Sequence, residues 1–379
     1  RLDRGVPSPI KADSGAVMVV GSGPIRIGQG IEFDCCSVRA LRELRRLGIR
    51  SVMVNNNPET VSTDHDEADL LCFEPLDMEV LLDLVRLCGV RGVLAQFGGQ
   101  RGLQLAMGLA REGVPVLGVE PWAVEATEDR RRFYALLDRL GIDHPAGAWA
   151  ESPEEAMECA MEMGFPLVVR PSFVLGGLGM EVVSSPEELS ACLDCHRASG
   201  LWDLGPLLLD QFVEGIEAEV DVLCDGRDVF VPGVMEHLEG PGVHSGDSVV
   251  VLPHRRISQA EVMEMARISG ELGRALKVRG LFNVQFVAGD RGIRVLEVNL
   301  RSSRTVPFVS KACGLPLVDL AVRLALGEGL GDLGLSPGLG SGIRRWAVKV
   351  PVFSTGKLPG VEVSLGPNMR STGEVMGLG

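Results

Sequence analysis

The sequence predicts two fold classes in series, an α/β unit with a parallel sheet followed by an α+β unit built on antiparallel strands. Three observations carry this reading. Over residues 16–117, short apolar runs alternate with amphipathic stretches long enough to be crossover helices, the pattern of parallel strands with helices on both faces. Beyond about residue 206, strand-like runs follow one another with few helices between them, as antiparallel sheets allow. The 379 residues, 45% of them hydrophobic, suffice for two or three packed units rather than one.

In chain order, residues 1–15 read as a polar linker with two prolines and no periodicity. The first unit, about 16–125, then alternates strands at 16–23, 51–54, 93–97 and 114–117 with helices at 37–47, 78–88 and 103–111. Helices at 129–140 and 153–163 open the second unit, followed by strands at 167–171 and 180–183 and a short helix at 186–200. Strands at 206–212, 216–226 and 228–237 come next, then a helix at 258–276, a hairpin across 282–299 and a helix at 306–326. There is no internal repeat, and the Gly-rich segment 331–379 shows little core of its own.

Charge narrows the function. Lys plus Arg number 37 against 51 Asp plus Glu, a formal charge of -14. This excess repels nucleic acid and anionic membranes, yet a few placed arginines still suffice for an anionic substrate. No apolar run approaches the ~20 residues that span a bilayer, and the first 15 residues lack a signal core, so a soluble, cytoplasmic protein is expected. Nine scattered cysteines fit reduced thiols. Cys192, Cys195 and His196 spell C-x-x-C-H, a haem-attachment pattern, but they fall in a predicted helix without an export signal, and coincidence is the reading adopted.

The first strand runs into Gly21-Ser22-Gly23-Pro24-Ile25-Arg26-Ile27-Gly28, a glycine loop of the kind that meets an anion at a helix N-terminus. It is not a dinucleotide fingerprint. Arg26 stands where the third Gly belongs, and the second strand ends in Asn55-Asn56-Asn57 rather than an acid. A P-loop fails as well, because no Gly-Lys-Ser/Thr follows. Close strand–helix packing explains the glycines equally well.

The hairpin around 289–292 carries more chemistry. Glu297 and Asn299 share a strand face. A turn centred on residue 291 places Gln285 opposite Glu297 and Asn283 opposite Asn299, with Val284, Phe286, Leu296 and Val298 behind. One carboxylate and several amide oxygens suit Mg²⁺ alongside nucleotide phosphates; the alternative is the wet face of an edge hairpin. Arg301 and Arg304 just beyond offer two guanidiniums for carboxylate or phosphoryl oxygens. Arg170 ends a strand before the glycine-rich stretch 172–179, and Gly242, Val243, His244 and Ser245 open a second polar loop.

Taken in order, these segments resemble the large subunit of carbamoyl phosphate synthetase. The stretches are GSGPIRIGQGIEFD (21–34), VNNNPETVSTD (54–64), QFGGQ (96–100), EDRRRF (128–133), PLVVRPSFVLGG (166–177), GVHSGDS (242–248), RGLFNVQF (279–286), EVNLRSSRTVPFVSKA (297–312) and LGPNMRSTGEVMG (365–377). The first and last resemble the second of that subunit's two homologous halves, which phosphorylates carbamate. The resemblance implies a Rossmann-like pre-ATP-grasp domain at 16–125. A two-lobed ATP-grasp domain would follow at 126–330, with lobes about 126–205 and 206–330, and then a C-terminal segment at 331–379. It implies ATP contacts at Arg130, Arg170, Gly176, Gly177, Gln211, Val213, Glu217 (with Glu219 as fallback), Gly242, Val243, His244, Ser245, Gln285 and Glu297. Gln285, Glu297 and Asn299 would ligate Mg²⁺ or Mn²⁺, with K⁺ as a further cation, and Arg301 and Arg304 would be catalytic. Implied partners are carbamate as small-molecule substrate, a homologous bicarbonate-phosphorylating half, an allosteric domain and a glutaminase subunit in an oligomer serving pyrimidine and arginine synthesis. Leu178 and Leu300 depart from the family's Arg and Pro, the latter expected to loosen the turn into Arg301. Another ATP-grasp carboxylate–amine ligase and a degenerate, nucleotide-binding half are the competing readings.

Overall fold

The computed structural model describes residues 15–24, 30–171, 179–340, 343, 345–354 and 364–379. The first unit contains β1 (Ala16–Val20), α1 (Glu32–Arg46), β2 (Ser51–Asn55), β3 (Leu70–Phe73), α2 (Met78–Cys88), β4 (Val90–Leu94), α3 (Gly99–Arg111) and β5 (Val116–Leu117). Its sheet runs β3-β2-β1-β4-β5 with every neighbouring pair parallel. All five residues of β1 are buried, as a central parallel strand covered on both faces must be. The edge strand β3 has no counterpart in the sequence reading, since four residues are too few to show a period. β4 starts three residues before the expected strand at 93–97. Gln96 and Phe97 are fully buried, but they lie beyond the end of β4 and face the second unit.

The second unit begins with α4 (Pro121–Glu128), α5 (Arg130–Leu140), β6 (Gly147–Ala150), α6 (Pro153–Met163), β7 (Leu167–Pro171), β8 (Glu181–Val183), α7 (Pro186–Ala198) and β9 (Leu207–Gln211). Here β6-β9-β7-β8 form a four-stranded antiparallel sheet. The chain continues through β10 (Ile216–Asp225), β11 (Val229–Val231), β12 (Met235–His237), β13 (Val250–Leu252), α8 (Gln259–Ala275), β14 (Arg279–Gly289) and β15 (Gly292–Asn299). It ends with α9 (Val306–Cys313), α10 (Leu317–Ala325), β16 (Gly338–Leu339), β17 (Ala347–Val352) and β18 (Gly373–Leu378). These strands build a nine-stranded sheet along β15-β14-β10-β12-β13-β17-β18, with β11 paired to β10 and β16 to β11.

Two sequence expectations are corrected. The single helix at 306–326 is two helices, because Gly314 caps α9 in the left-handed conformation at φ 68° and Pro316 precedes α10. The segment 331–379 does carry core: β17 and β18 complete the large sheet, and Ala347, Lys349 and Ser371 are fully buried.

The two units share one apolar cluster, in which Val17, Leu41 and Phe97 join Leu281, Leu317 and Val322. Arg39 and Arg46 of α1 both pair with Asp319 of α10. Gly118 (φ +93°) lets Arg279 N–H reach its carbonyl at 2.7 Å, and a Cβ there would lie 2.6 Å from the Arg279 carbonyl oxygen. Side chains of the first unit are thereby fixed against the large sheet. Among the described residues, no helix is long and apolar enough to cross a membrane.

Candidate active site

The site grows from strand register. On β10 the alternation Glu217, Glu219, Asp221 puts three acids on one face. Glu219 pairs with Gln285 on β14, and Gln285 with Glu297 on β15; the adjoining row is Asp221, Asn283 and Asn299. The expected opposition of Gln285 to Glu297 and Asn283 to Asn299 is therefore present, although the turn itself lies between Gly289 and Gly292 rather than on residue 291. A bulge beyond Gln285 reconciles the two, with Phe286 opposite Val295. Leu296 leaves the apolar face, and buried Val295 takes its place beside Val284, Phe286 and Val298.

Glu297 is gripped from two sides. Arg130, the first residue of α5, donates to Glu297 Oε2 at 3.1 Å and to the Leu296 carbonyl at 2.6 Å. Asp129 caps that helix by accepting from the N–H groups of Arg131 and Arg132. Asn299 donates to Glu297 Oε1 at 2.8 Å. Burial pushes the Glu297 carboxyl up, but Arg130, the Asn299 hydrogen bond, Arg301 and Arg170 outweigh it and hold the group below its ordinary value. Gln285 donates its amide nitrogen to Ser245 Oγ at 3.1 Å, leaving its oxygen for a cation.

The two arginines diverge. Arg301 donates to Asn299 Oδ1, Gln100 Oε1 and the Ser302 carbonyl, each at 3.0 Å, and lies 5.6 Å over the Phe33 ring. Arg304 is buried, 3.3 Å from Glu32 and donating to Ser371 Oγ at 2.8 Å. Leu300 between them and the strand is 1% exposed and packs into the core. Its side chain anchors the chain just before Arg301.

Arg170 pairs at 2.9 Å with buried Asp210, which also accepts from Tyr134 Oη at 2.7 Å. Gln211 ends the small sheet and β10 begins the large one at Ile216, so Val213 sits on the connection between lobes. His244 Nδ1 accepts from Gly246 N–H at 3.0 Å, and burial pushes the imidazole down to about 4; it is a neutral cap. Gly242 needs its positive φ of 97°, and a Cβ there would meet Phe212 and Val182 at 3.3 Å. Gly176, Gly177 and Leu178, like Arg26 and Gly28, lie outside the described residues. The glycine loop after β1 is ordered at its start by Asn55, whose Oδ1 accepts from Gly23 and Asn56 N–H at 3.0 Å. Asn55 Nδ2 donates to Ser62 Oγ at 3.0 Å, which an ionised acid at that position could not do.

Beside the hairpin, on the same sheet face, Glu217 and its fallback Glu219 are buried in a polar group whose other members, His237, Asp221 and Lys349, sequence reasoning passed over. His237 lies 3.7 Å from Glu217 and 3.5 Å from Glu219. Asp221 accepts from Asn283, Ser303 and Thr305, and Lys349 reaches the Ser245 carbonyl at 3.3 Å and Glu374 at 3.8 Å. Burial raises Glu217 and Glu374 to about 7 each and Asp221 to about 6. The alternation Glu-x-Glu-x-Asp in an otherwise apolar strand was the available signal.

Comparison with known proteins follows this geometry. Residues 13–126 match the family model described as the carbamoyl phosphate synthase preATP-grasp domain, and residues 129–333 match the carbamoyl-phosphate synthase L chain, ATP binding domain. The chain belongs to the carbamoyl phosphate synthase large-chain family. It is 50% identical over 373 residues to the carbamoyl phosphate synthase large chain of Thermomicrobium roseum, covering 97% of this chain and 34% of that one. Against the Clostridium perfringens (strain SM101) large chain the identity is 48% over 370 residues, with 98% and 34% covered. The chain thus spans about a third of the length of these relatives. In fold, it resembles the Hydrogenobacter thermophilus 2-oxoglutarate carboxylase biotin carboxylase domain, crystallised with MgADP, ADP and bicarbonate (TM-score 0.70, 21% identity, 88% of this chain and 74% of that one). It also resembles N5-carboxyaminoimidazole ribonucleotide synthetase of Thermotoga maritima (TM-score 0.69, 17% identity, 96% and 94%). The family's pre-ATP-grasp domain is the five-stranded unit, and the ATP-grasp domain holds the small sheet and the hairpin.

Proposed function

We propose that this chain transfers the terminal phosphoryl group of ATP to carbamate, giving carbamoyl phosphate and ADP, as the second synthetase half of a longer large chain. The observation that carries this is the convergence of Gln285, Glu297 and Asn299 with Arg130 and Arg301 on one sheet face, in a chain half identical to carbamoyl phosphate synthase large chains. The donor set fits a hard divalent cation: one carboxylate kept ionised by its arginines and two amide oxygens. Those three residues would hold Mg²⁺, which when bound supplies charge neutralisation at the phosphates.

The protein's own part is positioning and charge, since phosphoryl transfer asks for no protein nucleophile. Arg130 fixes Glu297, and Arg301 faces the transferred group and carbamate. Arg304 stands deeper, tying the site to Glu32 and Ser371. Arg170, clamped by Asp210, contacts phosphate, while the connection from Gln211 to Val213 borders the adenine. Carbamate decomposes in water, so the remainder of the large chain and a glutaminase partner would deliver it without release.

The test is ATP formation from Mg-ADP and carbamoyl phosphate, with Glu297→Ala as control. Activity that vanishes in the control is expected. Binding of Mg-ATP without any turnover would favour a degenerate half, and acetyl phosphate serving equally well would overturn the carbamate assignment.

A further inference from the structure

The small lobe holds a second group of ligating side chains, different in type from the oxygen ligands of the proposed Mg²⁺ site. Among the described residues, Glu181, Cys192 and His196 bring one ligand atom each to within 4.8 Å of one another. Cys192 and His196 are one helical turn apart on the inner face of α7, both buried, and four residues is the spacing that stacks two side chains on one helix face. Their Sγ and Nε2 atoms are 3.7 Å apart. Bond lengths of ~2.3 Å to sulfur and ~2.0 Å to nitrogen in a tetrahedral site put such atoms roughly 3.5 Å apart. Glu181, exposed on β8, closes the third corner and can rotate to do so. The Gly179 carbonyl, 2.8 Å from His196 Nε2, lies against the same corner.

The surroundings do not explain these residues as packing. The buried side chains of the cluster around Cys192 are otherwise Ala, Leu and Val, with Met157, Cys159, Met163, Phe165 and Trp202 partly buried against it, and His196 Nδ1 is buried with no hydrogen-bond partner, a cost that an apolar residue would avoid. The C-x-x-C-H spacing is not a paired thiol site either, because Cys195 is exposed while Cys192 is buried.

We propose that Glu181, Cys192 and His196 form a binding site for a soft divalent cation of the Zn²⁺ type, distinct from the proposed Mg²⁺ ligands. A thiolate, an imidazole and one carboxylate select Zn²⁺ over Mg²⁺, which prefers oxygen. Binding forms metal–sulfur and metal–nitrogen bonds; the Cys192 proton leaves to solvent, and the Nε2 proton that His196 gives to the Gly179 carbonyl is replaced by one on Nδ1, with no change of oxidation state. It also takes Nε2 of His196 from the Gly179 carbonyl, since one nitrogen cannot serve both. Burial, with the Glu181 carboxylate adding, pushes the Cys192 thiol up to about 12; the metal therefore competes with a proton that the thiol holds firmly.

The experiment is Co²⁺ titration of the chelator-treated chain in excess Mg²⁺, followed by Zn²⁺ competition. One equivalent of Co²⁺ should give a sulfur-to-cobalt charge-transfer band that Zn²⁺ abolishes. The band should be absent in Cys192→Ser and His196→Gln and retained in Cys195→Ser. Glu181→Gln replaces an exposed side chain and leaves the core untouched; its Zn²⁺ affinity should fall by more than the roughly 10–100-fold that an outer-shell partner costs. No band in the unsubstituted chain would overturn the proposal. So would a band that survives in Cys192→Ser, a band lost in Cys195→Ser, or unchanged affinity in Glu181→Gln.

Discussion

Arg301 and Arg304 are three residues apart on one loop, and their charges are used differently. All three hydrogen-bond acceptors of Arg301 are neutral, two amide oxygens and one carbonyl. The nearby carboxylate of Glu297 is engaged by Arg130. Arg304 is 8% exposed and faces Glu32, itself 5% exposed. One guanidinium is held in place with its charge available to an anion; the other is neutralised and joins the first unit to the C-terminal strands. Identity and spacing cannot separate the two, because the difference is made by what comes from elsewhere in the chain.

The largest effect expected is on stability at the buried pair. Arg304→Ala leaves Glu32 without its counter-charge, and breaking such a pair typically costs about 3–5 kcal/mol. Urea denaturation of Arg304→Ala and of Arg304→Ala with Glu32→Gln checks this: the second change should recover part of the loss. A loss below about 1 kcal/mol, the range of exposed pairs, would erase the distinction between the two arginines. Arg301→Ala should instead act on rate. Removing a positioned donor to developing charge costs ~10²–10³-fold, read in the reverse reaction, with the denaturation midpoint close to that of the parent. Arg301→Lys should recover little, since an ammonium cannot span Asn299 and Gln100 as the planar fork does. Near-normal turnover in Arg301→Ala would remove it from the site.

The same contrast shows how far the sequence could be read. Glu297, Asn299 and Gln285 were legible because period and turn position fix which residues share a face, and the bulge at Leu296 left the functional end of that register intact. The alternation of apolar runs and helices predicted the parallel unit, except for β3, whose four residues carry no period. The segment 331–379 was misread. Its strands are short and glycine-flanked, and their burial comes from pairing with β13, far away in sequence. Lys349 is fully buried yet reads as a surface residue in isolation; its partners, Glu374 and the Ser245 carbonyl, come from other parts of the chain.

Beside the hairpin, the buried acids of β10, with Glu374, should make stability fall with rising pH. Burial raises Glu217 from 4.5 to about 7, ahead of a lowering by His237 and a further raising by Glu219. Glu374 is raised to about 7 and Asp221 to about 6. Between an unfolded value near 4.5 and a folded value near 7, the folded state keeps a proton that the unfolded chain has released, so stability declines across that window. His237, raised overall despite its burial because Glu219 and Glu217 face it, contributes with the same sign. Glu297 and Glu219 are lowered and act only in more acidic solution. Glu217→Gln should therefore flatten the decline between about pH 5 and pH 8 by on the order of 2 kcal/mol. Denaturation curves at the two pH values give the slope directly, and an unchanged slope would show that Glu217 is ionised in both states.

The smallest expected effect tests how the open part of the site is held. Gln285 reaches the proposed cation position from a strand whose neighbour, Glu219, is acidic and buried, and its orientation is set by the bond to Ser245 Oγ at 3.1 Å. Ser245→Ala deletes that bond but keeps the Ser245 carbonyl that receives Lys349, so the polar interior is undisturbed. A neutral hydrogen bond is worth about 1 kcal/mol net, or roughly fivefold in an equilibrium. Mg-ADP should bind that much more weakly to Ser245→Ala, while kcat stays close to the parent because Glu297 and Arg301 keep their partners. A change in kcat without a change in binding would mean that Ser245 touches the reacting groups itself, and Gln285 would then owe its orientation to the sheet alone.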